Sequence, residues 1–313
     1  MSLPVAFALT LSELSESIPL DPKQFLGIPV ALIGAAFLAF GAQFQSRGLI
    51  KVEKITGEKA GAGLSFQHIL NMFRRPSWVI GTLLLGLAVV FQIGSLSLSP
   101  LIVVQPLGVV ALVITSMLNA KMTGVRVNSR TRFSIGMCVV GVFAFVLIAA
   151  FTATERPVTD AKLITILILF WLLLLACLVL FLAFRKRAVA LVYIIGAGTI
   201  YGFVATLAKS VIARLQHGDV TWLTWLSLAA LITGTLLGMI FVQNAYSSGP
   251  PDLVVAGLTV VDPLIAVLIG IVVLNEAAQA PLWAILGFIV TGVIAIFGVI
   301  GLAKYHPQVA DAR

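Results

Sequence analysis

The residue of this chain with the most chemistry to offer is Asp262, set in the apolar run Leu258-Thr-Val-Val-Asp-Pro-Leu264. A carboxylate at the centre of a bilayer costs at least about 2.5–3.5 kcal/mol to insert, so its presence asks for a reason. Pro263 follows it and has no backbone N–H, which frees a carbonyl one turn earlier and predicts a bent or interrupted helix. A carboxylate beside free carbonyls can bind a cation, carry a coupling proton or pair with a substrate amine. The bland alternative is a protonated acid that hydrogen-bonds a neighbouring helix. Gln105-Pro106 is a neutral version of the same pair. Gln43, Gln92, Gln243, Asn244, Tyr201 and Tyr246 add amides and phenols to other apolar stretches. Such groups line polar cavities, or bond adjacent helices at about 0.6 kcal/mol each. Arg47 and Lys209 stand near the ends of their stretches, where a long stem snorkels to the interface. They read as helix-end anchors, or in a wide cavity as attractors of an anionic head group.

Other chemistries are poorly provided for. Glu155, Asp160, Asp252 and Glu276 are dispersed, with no pair at helical i, i+4 spacing, so no hydrolase or transferase centre is expected. No nucleotide-binding loop is present, which excludes ATP-driven pumping by this chain. The reading is therefore not an enzyme, with no cofactor. His68, His217 and His306 are scattered and form no metal set, and Cys138 and Cys177 lie in apolar stretches as small hydrophobes.

The elements that must position these groups are membrane spans. Of 313 residues, 60% are hydrophobic and only 10% charged, with a mean hydropathy of +1.12. A soluble domain of this size needs more charge to cover its surface. A span needs roughly 20 apolar residues, and nine windows qualify, at about 26–50, 77–98, 101–120, 133–152, 163–184, 189–213, 222–246, 253–274 and 282–303. They are too long and uninterrupted for strands of a β-barrel. The expected fold is an all-α polytopic helix bundle. Trp78, Trp222, Trp225 and Trp283 fall at span starts, as interfacial aromatics do.

The formal charge of +8 is explained by its distribution. Lys51, Lys54, Lys59, Arg74 and Arg75 follow span 1; Lys121, Arg126, Arg130 and Arg132 follow span 3; Arg185, Lys186 and Arg187 follow span 5. The alternate loops hold only Arg156 and Lys162, offset by Glu155 and Asp160. By the positive-inside rule the N-terminus is outside and the C-terminus cytoplasmic, in a multi-pass plasma-membrane protein. Nucleic acid is not an expected partner; membrane lipid, a small-molecule, ion or lipid substrate, and a second copy in a homodimer are. Residues 1–25 form an extracytoplasmic head, carrying Glu13, Glu16 and Asp21, and read poorly as a cleavable signal peptide. Within 60–76, Leu64, Ile69, Leu70 and Phe73 fall along one stripe, either an interfacial helix or a loop helix packed on the bundle.

The chain also repeats itself. Leu101-Ile-Val-Val-Gln-Pro-Leu107 matches Leu258-Thr-Val-Val-Asp-Pro-Leu264, and Ile135–Ala144 matches Leu286–Ala295, pairing Gly136 with Gly287 and Gly141 with Gly292. Gln92 precedes Pro100 by the same distance as Gln243 precedes Pro251. Spans 1–4 (26–152) and 6–9 (189–303) are then repeats, joined by span 5 within 153–188 and followed by a tail at 304–313. With one crossing between them, the second repeat is inverted, as in many secondary transporters. Depth is the discrepancy: Gln105 opens its span whereas Asp262 is central. Either the boundary at Pro100 is misplaced or an insertion precedes Asp262.

The segments Gln243-Asn-Ala-Tyr-Ser-Ser-Gly-Pro-Pro251, Leu258 to Gly270 and Leu274-Asn-Glu276 resemble the drug/metabolite transporter superfamily. Phe44-Gln-Ser-Arg-Gly-Leu-Ile50 and Ser99-Pro-Leu-Ile-Val-Val-Gln-Pro-Leu-Gly108 are similar to its NIPA-like (magnesium-transporter-like), EamA-like branch, which is generally read as nine spans. The resemblance implies a secondary transporter moving a small polar metabolite by alternating access around a midplane site. Its branch suggests Mg²⁺ or another divalent cation, and a lipid-linked head group is a further alternative; a non-transporting membrane scaffold subunit is the reading outside transport. The acidic residue that members carry between the last two helices of a repeat fits Glu276, whereas Leu118-Asn-Ala-Lys-Met-Thr in the first repeat has no carboxylate.

Overall fold

In this computed structural model residues 22–56, 75–123, 129–154, 157–184, 190–248 and 251–305 are described. Residues 1–21 of the N-terminal head and most of the 60–76 segment lie outside them, and residues 22–25 open α1. The described elements are ten helices: α1 (Pro22–Thr56), α2 (Pro76–Leu98), α3 (Leu101–Leu107), α4 (Val109–Thr123), α5 (Ser129–Thr152), α6 (Asp160–Phe184), α7 (Ala190–His217), α8 (Trp222–Ser248), α9 (Pro251–Val272) and α10 (Leu282–Tyr305).

Eight stretches are long and apolar enough to cross a membrane, among them Leu101–Leu118, which runs through α3 and α4. A ninth helix, α9, has 22 residues, of which Gly257–Val272 form its apolar length. The chain is thus an all-α, multi-pass membrane protein. Large apolar side chains face outward on most crossings, as lipid-facing helices require; Leu83, Phe133, Phe143, Leu282 and Val290 are examples. Trp222, Trp225 and Trp283, at span starts, are also exposed.

Small residues decide which helices meet. With no hydrophobic drive between helices in lipid, close packing selects Gly, Ala and Ser at contacts. A Cβ added to Gly141 of α5 would sit 2.6 Å from the Ala295 backbone of α10, and one on Gly287 would sit 2.6 Å from Ile148. Gly298 meets Cys138 in the same way. Residue numbers rise along α5 as they fall along α10, so these two repeat-equivalent helices cross antiparallel. The same holds for α3 and α9, because Gly270 lies against Ile102 and Pro106 faces Pro263 across a cleft. Antiparallel packing of equivalent helices is the relationship an inverted repeat requires. The remaining tight pairs are α1 with α2, and α7 with α8 and α9.

One sequence expectation about the prolines changes here. The interruption falls in the first copy: the helix breaks at Gly108, just after Pro106. The second copy stays helical through Pro263, because α7 packs flush against it at Gly198 and Gly202. The boundary at Pro100 stands. Helices α3 and α9 begin at the matched prolines, Pro100 and Pro251, so the depth difference is real and Asp262 sits further into its helix than Gln105.

Candidate functional site

Asp262 lies midway along α9, where that helix crosses α7. The crossing is close because α7 offers Gly198-Thr-Ile-Tyr-Gly202. A Cβ on Gly198 would come 2.6 Å from Val261, and one on Gly202 would come 3.0 Å from the carbonyl oxygen of Asp262 itself. Between these glycines stands Tyr201, its ring seated over Gly238 of α8. Oδ1 of Asp262 is buried and accepts no hydrogen bond. An acid left incomplete in this way is what a transient ligand would complete.

The other proposed polar groups do not converge on it. Gln105 is buried, 9% exposed, in α3, displaced toward the end of the bundle where α3 begins. Gln92 is half-buried in α2, its backbone nitrogen close to Gly34 of α1, and Gln43 is half-buried in α1. Gln243 and Tyr246 are exposed near the end of α8. The Asn244 amide donates to the Ile240 carbonyl of its own helix at 2.8 Å. Since Oδ1 is unpartnered, none of these amides reaches it. Arg47 is exposed, with its guanidinium 5.7 Å from the Phe44 ring centre one turn away; α1 runs on past it to Thr56, so Arg47 follows the apolar stretch but does not end the helix.

Lys209 departs from its expectation most sharply. It does not snorkel: it is 3% exposed, and its Nζ donates to the carbonyls of Leu96 at 2.6 Å and Ser99 at 3.0 Å. Those are the last carbonyls of α2, which lack partners in any helix and attract a cation. So Lys209 does hold a helix end, but the end belongs to another helix.

Directly across the Ser99-Pro100 elbow the opposite charge appears. Glu276, also 3% exposed, accepts the backbone N–H of Leu101 at 2.9 Å and that of Ile102 at 2.8 Å. Helix α3 has no acidic residue in its first turn, so its N-terminal amides are satisfied from the α9–α10 turn. That turn has a local cause. Asn275 adopts a left-handed conformation, φ 60°, tolerated by Asn better than by most residues. The Glu276 N–H then donates back to the Gly270 carbonyl at 3.0 Å, closing the end of α9.

More charge gathers at this same end. Lys162 Nζ donates to the Leu274 carbonyl at 2.9 Å, capping α9. Arg214, buried at the end of α7, pairs with Asp160 at the start of α6 and donates to Thr221 Oγ1 at 3.0 Å. Asp160 and Glu276, each with its own partner, therefore lie at the same end of the bundle. Glu276 escaped selection as a binding residue because its partners are backbone amides, which no side-chain motif records.

A cleft of about 80 Å³ separates α3 and α4 from α9, lined by Pro106, Val109, Phe145, Pro263, Val267 and Ile296 among others. Both motif prolines border it, and neither Asp262 nor any charged side chain does. Among the described residues no three of His, Cys, Asp and Glu gather as a metal site.

No family model matches the chain, and no solved structure does. The chain is similar to an uncharacterized protein of Corynebacterium glutamicum, 25% identical over 298 residues, which cover 93% of this chain and 99% of that relative. The likeness therefore runs over most of the chain and carries no activity with it.

Proposed function

We propose that this membrane protein is a secondary transporter of the drug/metabolite type that moves a small polar metabolite around Asp262. The buried, unpartnered Oδ1 of Asp262 carries the reading. An intramembrane acid whose backbone packs on two glycines and whose Oδ1 lacks a partner suits an amine or a coupling proton, not a structural bond. Antiparallel packing of equivalent helices supports alternating access, since two inverted halves can exchange conformations. The basic loops support a plasma-membrane orientation with the N-terminus outside.

A divalent cation fits less well. Mg²⁺ retains water and binds through carboxylates, and among the described residues no three of His, Cys, Asp and Glu gather to hold one. The apolar cleft at Pro106 and Pro263 favours a second reading, in which the substrate carries an acyl chain.

The test is flux into proteoliposomes, using a panel of radiolabelled amines, amino acids and divalent cations, with a fluorescent-lipid translocation assay alongside. Asp262→Asn should abolish or uncouple the flux that wild type shows. Unchanged flux removes Asp262 from the mechanism. Lipid translocation without metabolite flux selects the second reading.

A further inference from the structure

The polar contacts at the end of the bundle where α2 meets α3 divide by what they join. Ser95 Oγ to the Gly27 carbonyl, 2.8 Å, lies within the first repeat. The Arg214–Asp160 pair ties α7 to α6, so it lies outside that repeat altogether. What crosses from the second repeat to the α2–α3 elbow is chiefly Lys209 and Glu276, four charge-assisted hydrogen bonds to backbone atoms on either side of Pro100. A weaker bond at 3.3 Å joins Gln216 to the Ser97 carbonyl. Both charges are buried, and each sits where the helix dipole favours its sign, the ammonium at a C-terminus and the carboxylate at an N-terminus.

We propose that Lys209 and Glu276 form a gate, a charged clamp on the Ser99-Pro100 elbow that seals this end of the bundle and must release for it to open. Because the ligands are main-chain groups, the clamp fixes where the two helices end and leaves elbow side chains free to vary. Rigid-body separation of the two repeats at this end breaks all four bonds together, which makes the closed state discrete. The end concerned is opposite the Lys- and Arg-rich loops, hence the outer face on the topology those loops imply. This inference rests on the transporter reading for its purpose, but its test involves no transport.

Ser99 is buried and reports on the elbow. The probe is a membrane-impermeant maleimide acting on S99C, with Cys138 and Cys177 replaced by alanine, in right-side-out and inside-out vesicles. With the clamp intact, S99C should label slowly from both sides. E276Q or K209M should raise the labelling rate from the outer side alone, by roughly tenfold or more, the range expected for losing a charge-assisted hydrogen bond from a two-state equilibrium. D160N, which breaks the neighbouring ion pair, should leave it unchanged. The gate is overturned if neither clamp variant raises labelling, if D160N raises it equally, or if both sides label alike. Each variant is scored as a monodisperse protein, and K209M decides where E276Q does not assemble. Loss or survival of flux in Asp262→Asn bears on the transporter reading and leaves this result standing.

Discussion

The backbone N–H of Leu101 donates to the Glu276 carboxylate at 2.9 Å, although 175 positions separate the two residues in the chain. Helix capping is normally local, from a Ser, Thr, Asp or Asn just ahead of the helix. At α3 that place is held by Pro100, which makes no side-chain cap, and the cap arrives from the turn after α9. The stability of α3 is thereby tied to the second repeat, and the consequence can be measured.

Glu276→Ala should lower stability by about 2–4 kcal/mol, because it strands two buried amides that a carboxylate had satisfied. Glu276→Gln should lose less, since its carbonyl oxygen can still accept one of them. Thermal unfolding of the purified protein in detergent reads both, and equal stability of all three proteins would mean that the amides find other partners.

Lys209→Met separates two accounts of the same site. If burial of apolar surface governed here, a neutral side chain of similar shape would stabilise the bundle. The carbonyls of Leu96 and Ser99 instead lose their donor, so a loss of about 2–3 kcal/mol is expected. A melting temperature above that of wild type contradicts the hydrogen-bonding account.

What the sequence discloses and what it conceals follow from the range of the interactions. The crossings are legible because each is a continuous apolar run, and the repeat is legible because Pro100, Pro251, Gly141 and Gly292 keep their order. Registered glycines mark contacts only in part: Gly141 and Gly287 meet a neighbouring helix closely, whereas Gly136 meets nothing within 4 Å. The grouping of Lys209, Glu276, Lys162 and Arg214 is not legible, because each meets its partner from a different helix and three of the four hold main-chain carbonyls or amides. The polar cluster expected around Asp262 is not assembled for a related reason. Repeat equivalence gives symmetry but not proximity, and Gln243 and Gln92 remain on their own helix faces.

Glycines at contacts and glycines facing open space should answer differently to the same change. Gly202→Leu places a side chain against Ile265 and the Asp262 carbonyl, so it should part α7 from α9 and lower the melting temperature by several degrees. Gly136→Ala meets nothing within 4 Å and should be neutral or slightly stabilising through helix propensity. The pair of melting curves distinguishes close packing from a general demand for flexibility.

Asn275 is the hinge of the Glu276 cap, at φ 60°. Asn275→Gly should be near neutral, because glycine adopts that conformation freely. Asn275→Val should cost about 1–2 kcal/mol and also disturb α3, since the β-branched side chain opposes the turn that presents Glu276. Hydrogen exchange of a peptide covering 99–107 checks the second effect, with faster exchange expected in the valine variant and not in the glycine one.

The last prediction concerns the sign of a stability change at Asp262. An acid that serves the fold through a hydrogen bond should, when replaced, leave a partner unsatisfied and weaken the protein. Oδ1 of Asp262 has no partner to strand, so Asp262→Leu removes a polar group whose burial is uncompensated and replaces it with one of similar size. The variant should therefore melt higher, by about 1–3 kcal/mol in stability, while losing whatever flux the wild type supports. Stability gained as activity is lost is the signature of a residue retained for function against the interest of the fold. A lower melting temperature would instead make Asp262 a structural acid, and the transport reading would lose the observation that carries it.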